Sequence, residues 1–180
     1  MMQSSFSAYT LGATLYMPIV HRRLPDYLRG NPDFPSASVV LCLEDALAEK
    51  DVAHGLALLK KLLKNCPVIS KTRIFIRPRS FNMALQIAEF SGFEKIEGFV
   101  APKLTPETAF VWLNLTKSAG KTIMPIVESE QFFDPARITA LREVLDDYDK
   151  KMIAAIRLGG NDLLAAMALR RHVGITSWEG

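Results

Sequence analysis

Short, nearly continuous apolar runs alternate along this chain with segments whose apolar residues recur every three or four positions. The alternation repeats six times. Residues 14–20 (TLYMPIV), 39–43 (VVLCL), 72–76 (TRIFI), 97–101 (EGFVA), 122–127 (TIMPIV) and 152–158 (MIAAIRL) have the character of strands covered on both faces. A short helix is expected at 24–29, followed by a Pro- and Ser-rich loop at 30–38 (GNPDFPSAS). Asp51 reads as the cap of a helix whose apolar side is Val52, Leu56, Leu59, Leu62 and Leu63. A further helix is expected at 82–90. Thr105 with Pro106, and Asp134 with Pro135, each supply an N-cap followed by a proline at the first helical position. A last helix is expected at 162–171.

Strand and helix alternating through short connections imply parallel strands with right-handed crossovers. A doubly wound open sheet and a (β/α)8 barrel both satisfy that rule. No Gly-rich phosphate fingerprint follows the first strand, where the sequence is MPIVHRR. Polar residues instead follow strand after strand: His21 and Arg22, Glu44 and Asp45, Arg77 and Arg79, Lys103, Glu128, and Asp162. A barrel gathers such ends into one mouth, whereas an open sheet spreads them along an edge. The expected fold is therefore α/β, a (β/α)8 TIM-barrel type with about six of eight βα units. A full barrel takes roughly 250 residues. Residues 1–180 are read as one barrel domain, incomplete at its C-terminus: a fragment, a shortened form, or a form completed by another subunit.

Composition narrows the function classes. Apolar residues make up 49% and charged residues 23%, as in ordinary globular proteins. The balance of 22 Lys+Arg against 19 Asp+Glu leaves +3. The nearest approach to a basic cluster (Lys60, Lys61, Lys64) lies at a helix end, where cations suit the dipole. Nucleic-acid binding is not expected. Cys42 and Cys66 are too few for a disulfide scaffold and lack metal-ligand spacing, which fits a reduced cytoplasmic setting. No apolar run reaches membrane-spanning length, and MMQSSFSAYTLG has neither the charged start nor the apolar stretch of a secretory signal.

Glu128, in IMPIVES, and Asp162, in IRLGGNDL, are the most informative residues. Two carboxylates delivered from neighbouring strand ends can hold one hard cation such as Mg²⁺, with waters left for substrate to displace. Taken singly, Glu128 also reads as a partner of Arg79 or a helix cap, and Asp162 as an N-cap. Capping is an equal reading for Glu44 or Asp45, and Lys103 reads equally as a solvated loop residue. Arg22 and Arg23 read as surface cations. Cys42 reads as a small buried hydrophobe, and Phe132 and Phe133 as packing residues. Of the three histidines only His21 is expected at the mouth; His54 and His172 sit in helical patterns.

The series YMPIVHRR, VVLCLEDAL, RIFIRPRS, FVAPKLTPE, IMPIVESEQ and IRLGGNDLL resembles the HpcH/HpaI aldolase and citrate lyase beta-subunit superfamily, in particular its citrate-lyase-like branch of carbon–carbon bond lyases. Each motif alone is weak; six in order, one per unit, are specific. The resemblance implies a Mg²⁺-dependent barrel enzyme that makes or breaks a carbon–carbon bond beside a carbonyl. It implies Glu128 and Asp162 as metal ligands and Arg77 as the holder of a substrate carboxylate or carbonyl oxygen. Glu44 and Asp45 match the acidic pair near the reacting carbon. Pro102 and Lys103 match the pair after strand four, and Pro18 and Arg22 the first loop, which contacts substrate or an acyl-carrier group. Departures are Cys42 where an acid is common, Pro78 and Arg79 after Arg77, a Glu128 loop without its usual Gly, and Asn161 in place of a frequent Glu. Arg79, a second cation, suits a more anionic substrate.

The expected ligands are an oxo-acid or an acyl thioester on coenzyme A or a carrier protein, and a homo-oligomer, with trimers common in the family, is expected. In such chemistry charge develops on an enolate oxygen, which a divalent cation stabilises. Glu44, Asp45 or a metal-bound water can accept the departing proton. Two alternatives stand beside this reading: a ligand-binding or regulatory homologue without turnover, and an incomplete barrel serving as an assembly subunit.

Overall fold

The computed structural model describes residues 8–28, 36–65, 72–170 and 172–174. Six parallel strands lie in chain order: β1 (Thr14–Pro18), β2 (Ser38–Cys42), β3 (Arg73–Arg77), β4 (Gly98–Ala101), β5 (Thr122–Val127) and β6 (Arg157–Leu158). The helices between them are α1 (Leu24–Leu28), α2 (Val52–Asn65), α3 (Phe81–Ala88), α4 (Pro106–Ser118) and α5 (Pro135–Asp146), with α6 (Gly160–Ala166) after β6. The expected six units are present, as a partial (β/α) barrel.

The sheet separates two sets of buried side chains. On its outer face Val39, Leu41, Ile74, Ile76, Phe99 and Ile123 pack against Leu59, Leu63, Ile87, Trp112 and Leu113 of the helices. On its inner face Val40, Phe75, Val100, Met124 and Ile126 form a second cluster with Leu11 and Ala154. Alternate residues of each strand serve the two faces, as a pleated strand requires. The sheet is curled enough for its first and last strands to meet: the Arg157 guanidinium carbon lies 4.5 Å from the centre of the Tyr16 ring.

The helix starts follow local chemistry. The Thr105 side chain accepts from the Thr108 N–H in a reciprocal capping box, and Asp134 accepts from the Ala136 N–H, each ahead of a proline. Asp51 departs from expectation. It closes a 3₁₀ turn (Glu49–Asp51) whose N-cap is Ala48, so α2 starts at Val52 without an aspartate cap.

The sixth strand differs most. Residues 150–152 form a 3₁₀ turn, Ile153 makes a single bridge to Ile123, and regular pairing returns only at Arg157–Leu158. The two registers do not agree. Ile123 opposes Ile153, but Ile126 opposes Arg157, so three steps along β5 face four on the other chain. One residue bulges out, which interrupts the ladder and reverses which later side chains face inward. The last helix stops at Ala166, with Ala168 in a left-handed conformation (φ 55°), rather than reaching residue 171. Most of the 30–38 loop, Cys66 and Arg171 lie outside the described residues.

Candidate functional site at the strand ends

Register delivers the site. Pro18, Cys42 and Arg77 are neighbours across β1, β2 and β3, at the C-terminal ends of their strands. The row beneath them is Tyr16, Val40 and Phe75. Arg77 therefore emerges just above a filled apolar layer, and its side chain is only 8% exposed.

Arg77 gathers the acids of three loops. One terminal nitrogen lies 2.7 Å from Glu44 Oε2, 3.0 Å from Asp45 Oδ2 and 3.2 Å from Glu128 Oε2. Glu128 also accepts the backbone N–H of Lys103 at 2.7 Å, and the Lys103 ammonium stands 3.6 Å from Glu44 Oε1. Lys103 holds a left-handed backbone (φ 49°), a strained state for a residue with a side chain. That conformation aims its N–H at Glu128 and leaves the side chain over the mouth.

Electrostatics follow burial. Desolvation pushes the Glu128 carboxyl above the ordinary glutamate value; the Lys103 N–H and Arg77 oppose the shift, and Asp162 and Asp45 add to it. Desolvation likewise raises Glu44, helped by its hydrogen-bonding neighbour Asp45 and opposed by Arg77. Burial alone would lower Arg77, but Glu128, Glu44 and Asp45 outweigh it and hold the guanidinium charged.

Asp162 reaches this group through a close backbone approach. A Cβ placed on Gly159 would lie 2.3 Å from Glu128 Cβ and 2.8 Å from its Oε2, so only glycine lets β6 pack here. Asp162 follows three residues later, in the first turn of α6, the helix that starts from this approach to Glu128. It is not the cap of α6: Gly159 holds that position without a side-chain bond. Nor do Glu44 and Asp45 cap a helix. Glu44 accepts from the Asp45 N–H, and the next turn starts from Ala48.

Two residues proposed for substrate contact sit elsewhere. Arg79 turns away from the mouth and spends its fork on protein, 2.5 Å from Glu49 Oε2 and from the Leu47 carbonyl, and 3.3 Å from the Glu44 carbonyl. It is a clamp on the loop after β2, set just ahead of the α3 cap at Ser80. Arg22 is exposed and lines a groove between α1 and α2 with His21, Lys61 and Asn65. His54 and His172 are exposed. Cys42 is a buried free thiol beside Arg77, Phe132 is buried, and Phe133 is half exposed. The inner-face residues Tyr16 and Arg157 escaped the sequence reading, because one lay inside an apolar run and the other's facing depends on the bulge.

Among the described residues no group of three or more His, Cys, Asp or Glu forms a metal cluster. Two carboxylates remain as a donor set, which suits a hard cation that keeps several waters and takes further oxygens from substrate. A carboxylate has about four lone-pair sites, so the bonds from Arg77 and Lys103 leave Glu128 oxygen capacity for a cation. Glu128 and Asp162 thus fit Mg²⁺ chemistry. No helix among the described residues is long and apolar enough to cross a membrane.

Solved structures share this fold. Malate synthase of Haloferax volcanii, in a pyruvate/acetyl-CoA ternary complex, superposes with a TM-score of 0.71 at 15% identity, over 97% of this chain and 54% of its own. RipC from Yersinia pestis gives 0.60 at 13% identity over 87% and 61%. The citrate lyase beta subunit of M. tuberculosis, complexed with oxaloacetate and magnesium, gives 0.52 at 16% identity over 91% and 65%. The chain spans between about half and two thirds of the length of these neighbours, and at such identities the likeness is one of fold. No curated protein sequence matches the chain. One family profile, described as the C-C bond lyase of the TIM-barrel fold, matches residues 5–180, nearly the whole sequence and all six strand-end motifs. The chain belongs to that family of TIM-barrel carbon–carbon bond lyases.

Proposed function

We propose that the mouth binds a small oxo-acid or acyl thioester beside Mg²⁺ and makes or breaks a carbon–carbon bond next to its carbonyl. The observation that carries this reading is the convergence of Arg77, Glu44, Asp45, Lys103 and Glu128 at the ends of β2 to β5, with Gly159, three residues before Asp162, packed against Glu128. Glu128 and Asp162 would hold the cation, which when bound supplies Lewis-acid stabilisation of an enolate oxygen.

The chain's own residues prepare the rest. Arg77 stays charged and fixed, so its field at the mouth costs no reorganisation when charge develops on substrate. Glu44 is raised by burial, which suits a carboxylate for exchanging protons nearer neutrality than a free glutamate. Asp45, half exposed beside it, can take a proton from a substrate carbon or hydroxyl and pass it to water. Lys103 brings an exposed charge over the same space. The metal, the substrate classes named in the neighbours' structures, and an oligomeric assembly in a cytoplasmic setting all form part of this proposal.

Thermal unfolding with and without Mg²⁺ tests it. Mg²⁺ is expected to raise the melting temperature of the parent, and further so with pyruvate or oxaloacetate present. Glu128→Gln and Asp162→Asn should each abolish the Mg²⁺ effect. A parent whose melting temperature ignores Mg²⁺ at millimolar concentrations, with and without oxo-acid, would defeat the proposal.

A further inference from the structure

The bulge before β6 decides where Arg157 points. Ala154 belongs to the inner cluster opposite Met124, so an unbroken register would send Ile156 inward and Arg157 outward among the helices. The extra residue reverses this. Ile156 is 55% exposed, and Arg157 pairs with the inward-facing Ile126 and lies across the concave face on the Tyr16 ring. Bulges beside active sites commonly re-aim a side chain in this way.

Arg157 is also unspent. Among the described residues its guanidinium has no hydrogen-bond acceptor and no carboxylate partner, and it lies over the Tyr16 ring. The Tyr16 hydroxyl likewise has no hydrogen-bond partner there. These donors are not sealed orphans. The buried nitrogens without partners among the described residues are Arg77 Nε and Arg79 Nε, so the Arg157 fork opens onto accessible space. Tyr16 lies in the row beneath Pro18, and Arg157 lies opposite Ile126, two residues before Glu128, so the pair stands on the wall of the same mouth. A latch that only joined the sheet edges would not need a five-donor fork left open.

We propose that Arg157, held in place by the face of Tyr16, is a second anion-binding point of the mouth that takes the distal carboxylate of a dicarboxylic substrate. The planar fork matches a carboxylate bidentately, and the ring beneath it fixes the fork's orientation before binding. Arg77 already carries Glu44, Asp45 and Glu128 on one terminal nitrogen, whereas Arg157 carries no acid. This assignment rests on the proposed function for the identity of the substrate's other end, but not for the anion site itself.

The test compares oxo-acids that differ only at the distal end: oxaloacetate against 2-oxobutyrate, and 2-oxoglutarate against 2-oxovalerate, by calorimetry with Mg²⁺. The parent is expected to bind one dicarboxylate roughly tenfold or more tighter than its partner, as a charge-assisted bidentate contact gives. Arg157→Gln should remove that preference and leave monocarboxylate affinity unchanged. Arg157→Lys, which keeps the charge and the ring contact, should retain only part of it, and serves if the Gln variant does not fold. In parallel, the Arg157 Nε–Hε NMR resonance should shift on titration with malonate in the absence of metal. A shifting resonance together with no oxo-acid binding would sink the lyase reading and leave the anion site standing. Equal affinities within each pair in the parent, losses shared equally by mono- and dicarboxylates in the variants, or a resonance that malonate leaves unmoved would overturn the anion site.

Discussion

The two walls of the mouth are built on opposite plans. On the β2–β3 side the arginines face protein acids and carbonyls: Arg77 holds Glu44, Asp45 and Glu128, and Arg79 holds Glu49 and two loop carbonyls. On the β6 side the strand is two residues long, Leu158 is 58% exposed, and Arg157 presents an open fork on an aromatic ring. The first wall is preorganised and resists change. The second is lightly built and has capacity to spare. A site that must hold fixed charge and also accept a ligand can use both.

The sharpest way to break this contrast is to remove the arginine from each wall. Arg77→Ala leaves Glu44 and Glu128 buried without their cation and should cost ~3–5 kcal/mol in denaturant unfolding. Arg157→Ala loses one partly exposed cation–π contact, worth ~0.5–1 kcal/mol. Similar losses at the two sites would mean that the walls are not different in kind.

Gly159→Ala should give the next largest effect. Its methyl meets Glu128 at a distance no real Cβ keeps, so β6 must retreat, at ~1–3 kcal/mol for an overpacked contact. The same shift carries Asp162 away from Glu128, so any Mg²⁺-dependent rise in melting temperature should shrink with it.

The pH response is the smallest expected effect and belongs to the first wall alone. Glu44 and Glu128 have folded values raised above the unfolded glutamate value by burial. Their contribution is fully present below the unfolded value and is lost as pH rises through the raised folded one. Glu128→Gln removes one of these titrations, so the stability difference between parent and variant should move in the variant's favour as pH climbs from about 4 toward 7. Urea midpoints across that range measure it, and a difference independent of pH would contradict the assigned direction.

Much of this was legible in the chain, for local reasons. Continuous apolar runs announce strands buried on both faces, and the 122–127 strand has the bounds its pattern predicts. Thr105 and Asp134 carry their capping role in their own chemistry and in the proline that follows. Glu44, Arg77, Lys103 and Glu128 were marked by a repeated position, a polar residue just past an apolar run. Less legible was direction. Arg77 and Arg79 look equivalent in RIFIRPRS, yet one enters the mouth and the other clamps a loop. The MIAAIRL run reads as one strand, yet a single extra residue breaks it and turns Arg157 inward.

The sequence by itself determined the six βα units, the parallel order and the strand ends at which acids and arginines accumulate. Periodicity and capping act within a few residues, so nothing distant is needed to specify them. Only the tertiary structure decided which charges pair, how close β6 lies to Glu128, and which way Arg157 faces. Those outcomes depend on register between strands far apart in the chain, where one residue's slip exchanges inside for outside.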